Sequence, residues 1–177
     1  VLLPEMKDEP LPANKKDYQK LLKKQEGYKL VEVKGKASSA FASNWENKII
    51  ELGKNTFGWK SLKLNFGKKQ VTMTVTETNG KSYELPFGYQ QWITTTFDSY
   101  PPYSITPIDR FKGLEGPYYA SGSYAWISKE ELQLKAHYVN WVSALEITFH
   151  LEENGEVKLN VQTNYIKKPY TIIGKIK

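Results

Sequence analysis

The sequence predicts an all-β protein, an antiparallel up-and-down β-barrel of about 8–10 strands preceded by one short helix. Three observations predict it. From about residue 46 onward, apolar and polar side chains alternate with period two. The alternating runs are joined by tight-turn sequences: Gly67-Lys68-Lys69, Thr78-Asn79-Gly80 and Glu153-Asn154-Gly155. Finally, 177 residues suffice for one domain with a core of its own, which the absence of cysteine leaves without disulfide support.

Residues 1–13 carry Pro4, Pro10 and Pro12 among mixed charges and are expected to be an extended linker. Asn14 is suited to cap a helix. Tyr18, Leu21, Leu22 and Gln25 follow at i, i+3, i+4 and i+7, and Gly27 ends the segment. Residues 1–27 are therefore expected to form a linker and amphipathic helix, and residues 28–177 the barrel. The chain starts at Val1, without a methionine or the layout of a signal peptide, and is expected to be either a processed protein or a domain cut from a longer chain.

The strands follow in order. Those expected near 46–52, 60–66, 70–77 and 81–87 carry Leu62, Leu64 and Phe66, then Val71, Met73 and Val75, then Tyr83, Leu85 and Phe87 on single faces. The remaining strands fall near 90–97, 118–127, 131–139, 143–152, 156–164 and 170–176. Their apolar faces include Leu132, Leu134, Ala136 and Tyr138; Leu145, Ile147, Phe149 and Leu151; and Val157, Leu159 and Val161. Such alternation marks strands with one face on a core. Asn-Gly turns favour hairpins between neighbours, and closure removes the exposed edges, giving a lipocalin-like barrel. Asp98–Pro117, with four prolines and Tyr100, Tyr103 and Phe111, breaks the pattern. It reads either as a surface loop or as a lid or domain interface.

The net charge of +6 is a poor sign of nucleic acid, since Arg110 is the only arginine among 25 basic residues. The charge collects at the chain ends. Five lysines face one aspartate in residues 14–25, and residues 157–177 hold five lysines and no acid. No apolar run is long enough for a membrane-spanning helix.

Catalytic chemistry is sparsely represented. The lack of cysteine removes thiol nucleophiles and thiolate metal sites. His137 and His150 sit out of phase with their apolar neighbours, facing either solvent or a polar lumen, and no metal or other cofactor is implied. Neither a G-x-S-x-G elbow nor an S-x-x-K occurs. Tyr138-Val139-Asn140 matches a loose Tyr-x-Asn pattern but has no serine nucleophile to serve. The pairs Glu130-Glu131 and Glu152-Glu153 fall in expected turns, where carboxylates are solvated. No catalytic residue is assigned.

Aromatic residues remain. They either fill the barrel or line a pocket for a small apolar ligand, with Trp92, Trp126, Tyr124 and Tyr138 as the candidate lining. A lumen filled by side chains counts against the second choice.

Several segments resemble a known family. They are Leu3-Pro4-Glu5-Met6-Lys7-Asp8 with Pro10–Asn14 and Tyr18-x-x-Leu21, Lys60–Phe66, Ala120–Trp126, Glu131–Leu134 and Ile147–Phe149. Together they are similar to the C-terminal domain that follows the catalytic domain in bacterial class C β-lactamase-related, penicillin-binding-protein-like serine hydrolases. The resemblance implies a lipocalin-type barrel and a non-catalytic accessory role, docking on or gating the catalytic domain of the same polypeptide. Tyr18, Leu21, Leu22, Tyr100, Tyr103 and Phe111 are the expected interface. It also implies a periplasmic or extracytoplasmic setting.

Overall fold

The computed structural model describes residues 13–97, 101, 116–141, 143–152, 154–164 and 167–177. The chain divides into two units, residues 1–31 and 32–177. In the first, helix α1 spans Lys15–Glu26. Asn14 caps it, accepting from the Asp17 amide at 3.1 Å, and Asp17 in turn pairs with Lys20 at 2.9 Å. An acid in the first turn and Lys23 and Lys24 in the last complement the helix dipole. None of its residues is buried; Tyr18 and Leu21 are 59% and 50% exposed.

The second unit is the barrel. Its strands are β1 (Ile49–Leu52), β2 (Trp59–Phe66), β3 (Gln70–Glu77), β4 (Ser82–Tyr89), β5 (Ile93–Phe97), β6 (Tyr118–Trp126), β7 (Glu131–Tyr138), β8 (Ala144–Leu151), β9 (Glu156–Thr163) and β10 (Tyr170–Ile176). Nearly all neighbours are antiparallel and consecutive, as hairpin turns dictate, and β10 returns to pair with β1, Ile50 opposite Ile176. The remaining gap is sealed by a short parallel seam between β4 and β6, with Gly88 opposite Ser123 and Tyr89 opposite Tyr124. The closed ring thus holds nine strands, β1–β4 and β6–β10, while β5 pairs with the other half of β6. All-β closure agrees with the sequence expectation; the parallel seam was not legible in it, because a two-residue pairing leaves no periodic trace.

Inward positions alternate with outward ones along each strand. Leu62, Leu64, Val71, Met73, Val75, Leu134, Ile147, Leu159 and Val161 are each 0–1% exposed, so side chains fill the middle of the barrel. Burying each contributes about 1.5–3 kcal/mol before entropy is counted.

The register separates the two ends. At one, where the β2–β3 and β6–β7 turns lie, the β6–β7 turn meets a short 3-10 helix, Ala40–Asn44, whose Phe41 and the following Trp45 are buried in the core. We call this the plugged end. The segment leading to it crosses the outside of β6. The Val33 amide donates to Ser123 Oγ at 3.3 Å, and Lys36 and Trp126 exchange both backbone hydrogen bonds at 2.9 Å. A Cβ at Gly35 would stand 2.3 Å from the Trp126 carbonyl oxygen, so only glycine permits that approach. This strap explains why Ser123 and Ala125, on the outward phase of β6, are fully buried.

Candidate functional site

The opposite end has aromatic walls. It is formed by the starts of β2, β4, β6, β8 and β10 and the ends of β3, β7 and β9. Trp59 faces inward there because of a bulge: it opposes Glu77, whereas Ser61 already opposes Thr76. The extra residue shifts Trp59 into the buried phase. One side chain holds this start of β2. Asn55 accepts from the amides of Phe57 and Trp59 and donates to the carbonyls of Gly53 and Trp59, all within 2.7–3.2 Å. Phe57 stacks on Trp59 at 4.6 Å and meets Tyr170 edge-on at 5.8 Å.

Tyr83 and Tyr138 enter from β4 and β7. Burial pushes the Tyr83 hydroxyl far above the ordinary phenol range, a hydrogen bond with Trp59 opposing and the Glu77 charge adding to the shift. Tyr138 is raised well above that range by burial first and by Tyr83 second. Both phenols therefore stay neutral and act as hydrogen-bonding groups, not as acids or bases. Tyr118 meets Trp141 edge-on at 5.4 Å. Two polar atoms at this end, Trp141 Nε1 and Thr163 Oγ1, are buried without a hydrogen-bond partner among the described residues. Leaving such a group unsatisfied costs about 1–3 kcal/mol.

The residues singled out in the sequence do not form one pocket. Tyr138 lies at the aromatic end. Tyr124 and Trp126 lie in the core toward the plugged end, where the Tyr124 hydroxyl donates to the Ala37 carbonyl at 2.9 Å and Trp126 packs 5.8 Å from Phe66. Trp92 lies against His137 on the outward phase of β7, with ring centres 5.1 Å apart. It precedes the short β5 and so never enters the inward alternation. Tyr18 and Leu21 are exposed and Leu22 partly so. Tyr100, Tyr103, Phe111 and most of the 98–117 interval lie outside the described residues. Trp59, Tyr83, Trp141, Thr163 and Asn55 were missed. Only the bulge gives Trp59 its phase, and a threonine ending a strand carries no signal.

Both histidines take the outward choice. His150 lies 3.6 Å from Glu131, and burial followed by the Lys135 charge lowers the pKa of His137. Asn140 of the Tyr-x-Asn triplet serves the fold: it donates to the Pro117 carbonyl at 3.0 Å and accepts from the Tyr119 amide at 2.9 Å. Glu130 lies in the β6–β7 turn, Glu131 opens β7, and Glu152 follows β8; Glu153 lies outside the described residues. Among the described residues no three His, Asp or Glu side chains converge as metal ligands, and no helix is long and apolar enough to cross a membrane.

No protein-family model and no curated protein matches the chain. Solved structures similar to it include a Schistosoma mansoni fatty acid binding protein in complex with arachidonic acid. The identity is 11% and the TM-score 0.47, covering 76% of this chain and 96% of that one. An Echinococcus granulosus fatty-acid-binding protein 1 aligns at 14% identity and TM-score 0.38, covering 66% and 69%. The fluorescent protein UnaG aligns at 9% and 0.44, covering 77% and 98%.

These comparisons correct the resemblance to the C-terminal domain of β-lactamase-related serine hydrolases. No model of that family matches, and the similar structures are fatty-acid-binding proteins and a fluorescent protein. The accessory role of docking on or gating a catalytic domain falls with it, and neither a catalytic-domain partner nor a parent serine hydrolase gains support. The physical reason lies in the phrases that carried the resemblance. Leu62, Leu64, Leu132, Leu134, Ile147 and Phe149 are all inward core residues, 0–1% exposed. Burial in a barrel dictates such residues whatever the ancestry.

Proposed function

We propose that this chain is a binding protein, not an enzyme, and that it takes a small ligand with an apolar body and one hydrogen-bonding group. The ligand sits at the aromatic end, not in the middle of the barrel, which side chains already fill. One observation carries this reading: Trp141 Nε1 and Thr163 Oγ1 are buried and have no hydrogen-bond partner among the described residues, at an end walled by Trp59, Tyr83, Tyr118 and Tyr138. Aromatic walls with few polar groups suit a small apolar molecule. A ligand oxygen accepting from the indole N–H or bonding the hydroxyl would remove part of a desolvation cost that the fold now bears. The neutrality of Tyr83 and Tyr138 favours an uncharged ligand body at that depth.

The test is a titration of the full chain with dodecanoic acid and with dodecanol, followed by tryptophan fluorescence. Saturable one-to-one binding that weakens about tenfold in Thr163→Val and Trp141→Phe is expected. Binding that never saturates, or that both variants retain unchanged, overturns the reading.

A further inference from the structure

At the plugged end the strap and the β6–β7 turn enclose a cleft of about 450 Å³. Lys36, Ser38 and Ser39 line one side, and Trp126, Ser128 and Lys129 the other. Its walls are fixed. Ser39 Oγ donates to the Lys129 carbonyl at 2.6 Å, Lys36 and Trp126 are bonded through both backbones, and Tyr124 holds Ala37. Two lysines thus line a cleft whose shape does not depend on their side chains.

The unmet hydrogen-bonding capacity here is of one kind. No carboxylate lines the cleft. Neither Lys36 nor Lys129 has a salt-bridge partner among the described residues; the Lys129 ammonium rests 5.8 Å over the Phe41 ring. Of the acids that follow in the turn, Glu131 is engaged with His150 at 3.6 Å. Ser39 already donates its O–H to the Lys129 carbonyl, whereas Ser128 only accepts from the Glu130 amide, so among the described residues Ser38 and Ser128 keep a hydroxyl donor for a ligand. Ammonium groups and hydroxyls without an opposing carboxylate complement an anion.

We propose that this cleft binds a phosphate group, free or carried by a small ester, with Lys36 and Lys129 supplying the charge and Ser38 and Ser128 hydrogen bonds. Two ammonium groups match a phosphate dianion, whereas a single carboxylate would leave one cation unbalanced. The site is at the other end of the barrel from the proposed apolar-ligand site and stands independently of it.

The experiment titrates the full chain with inorganic phosphate, glycerol phosphate and acetate at constant ionic strength, following backbone amide shifts. Saturable shifts with either phosphate, confined to residues 35–39 and 126–129, are expected. Whichever of the two binds more tightly shows whether the group is taken free or as an ester. The double variant Lys36→Gln/Lys129→Gln should weaken binding about tenfold and each single variant about threefold. Lys81→Gln, in the turn between β3 and β4 at the other end, removes the same charge and should leave affinity unchanged. Equal weakening by Lys81→Gln, shifts that do not saturate, or acetate binding as tightly as phosphate each overturns the proposal.

Discussion

Gly122 of β6 lies directly against the backbone of Pro86 in β4: a Cβ at 122 would stand 2.3 Å from the Pro86 carbonyl oxygen and 2.8 Å from the Phe87 ring. The glycine is on the inward phase of β6, opposite Ala136, next to the parallel pairing that closes the barrel. Two small residues side by side let β4 approach β6 where β5 departs. Gly122→Ala should therefore lower stability by about 2–4 kcal/mol, because the atoms in its way are backbone and ring rather than a flexible tip. Chemical denaturation measures this, and a loss below about 0.5 kcal/mol would show that the seam can part freely.

That seam marks the limit of what the residues announce. Period-two alternation and Asn-Gly turns place all ten strands within a few residues, since each strand of the closed ring has one face on the core. The Asn14 cap and Gly27 likewise bound α1 as their side-chain and backbone preferences require. Closure through β4 and β6 rests instead on Gly88 and Gly122, whose meaning depends on which strand comes close. The candidate site was less legible for the same reason. Tyr138 alternates in phase and is found, whereas Trp59 reads as out of phase until the bulge is known. Trp126 and Tyr124 are inward, as their phase indicates, but phase says nothing of depth along the barrel.

Thr163 separates binding from stability. Its hydroxyl is buried without a partner among the described residues, and valine has the same shape without the polar atom. Thr163→Val should leave stability unchanged or raise it by up to about 1 kcal/mol while weakening the apolar ligand. A denaturation curve and a ligand titration on the same variant decide it. Loss of stability together with unchanged affinity would mean that the hydroxyl serves the fold alone.

His137 gives the barrel a weak dependence on pH. Burial and then Lys135 lower its pKa from 6.5, so the folded protein favours the neutral ring. As pH falls below about 6.5 the unfolded chain takes up the proton first, and the stability present above that pH declines. His137→Gln lacks this term. The difference in Tm between the parent and the variant should therefore shift against the parent between pH 7.5 and 5; a shift in the opposite direction refutes the sign.

Asn55 is the residue on which the aromatic end most depends. Its side chain makes four hydrogen bonds, two accepted and two donated, across only seven positions from Gly53 to Trp59. They fix the loop ahead of β2 and so set the bulge that turns Trp59 inward, where it stacks with Phe57 and bonds Tyr83. Alanine at 55 would leave the Phe57 and Trp59 amides and two carbonyls to find water or remain unmet, at about 1–3 kcal/mol for those that stay buried. Asn55→Asp keeps both acceptor bonds but loses the two donated ones and brings a carboxylate against two carbonyl oxygens. Alanine is therefore expected to cost about 2–3 kcal/mol in denaturation and to red-shift the Trp59 emission as the ring gains water, with aspartate intermediate in the emission shift. Affinity for the apolar ligand should fall in the same order. If Asn55→Ala binds as tightly as the parent, Trp59 is not part of the ligand site, and the aromatic end is structural around it.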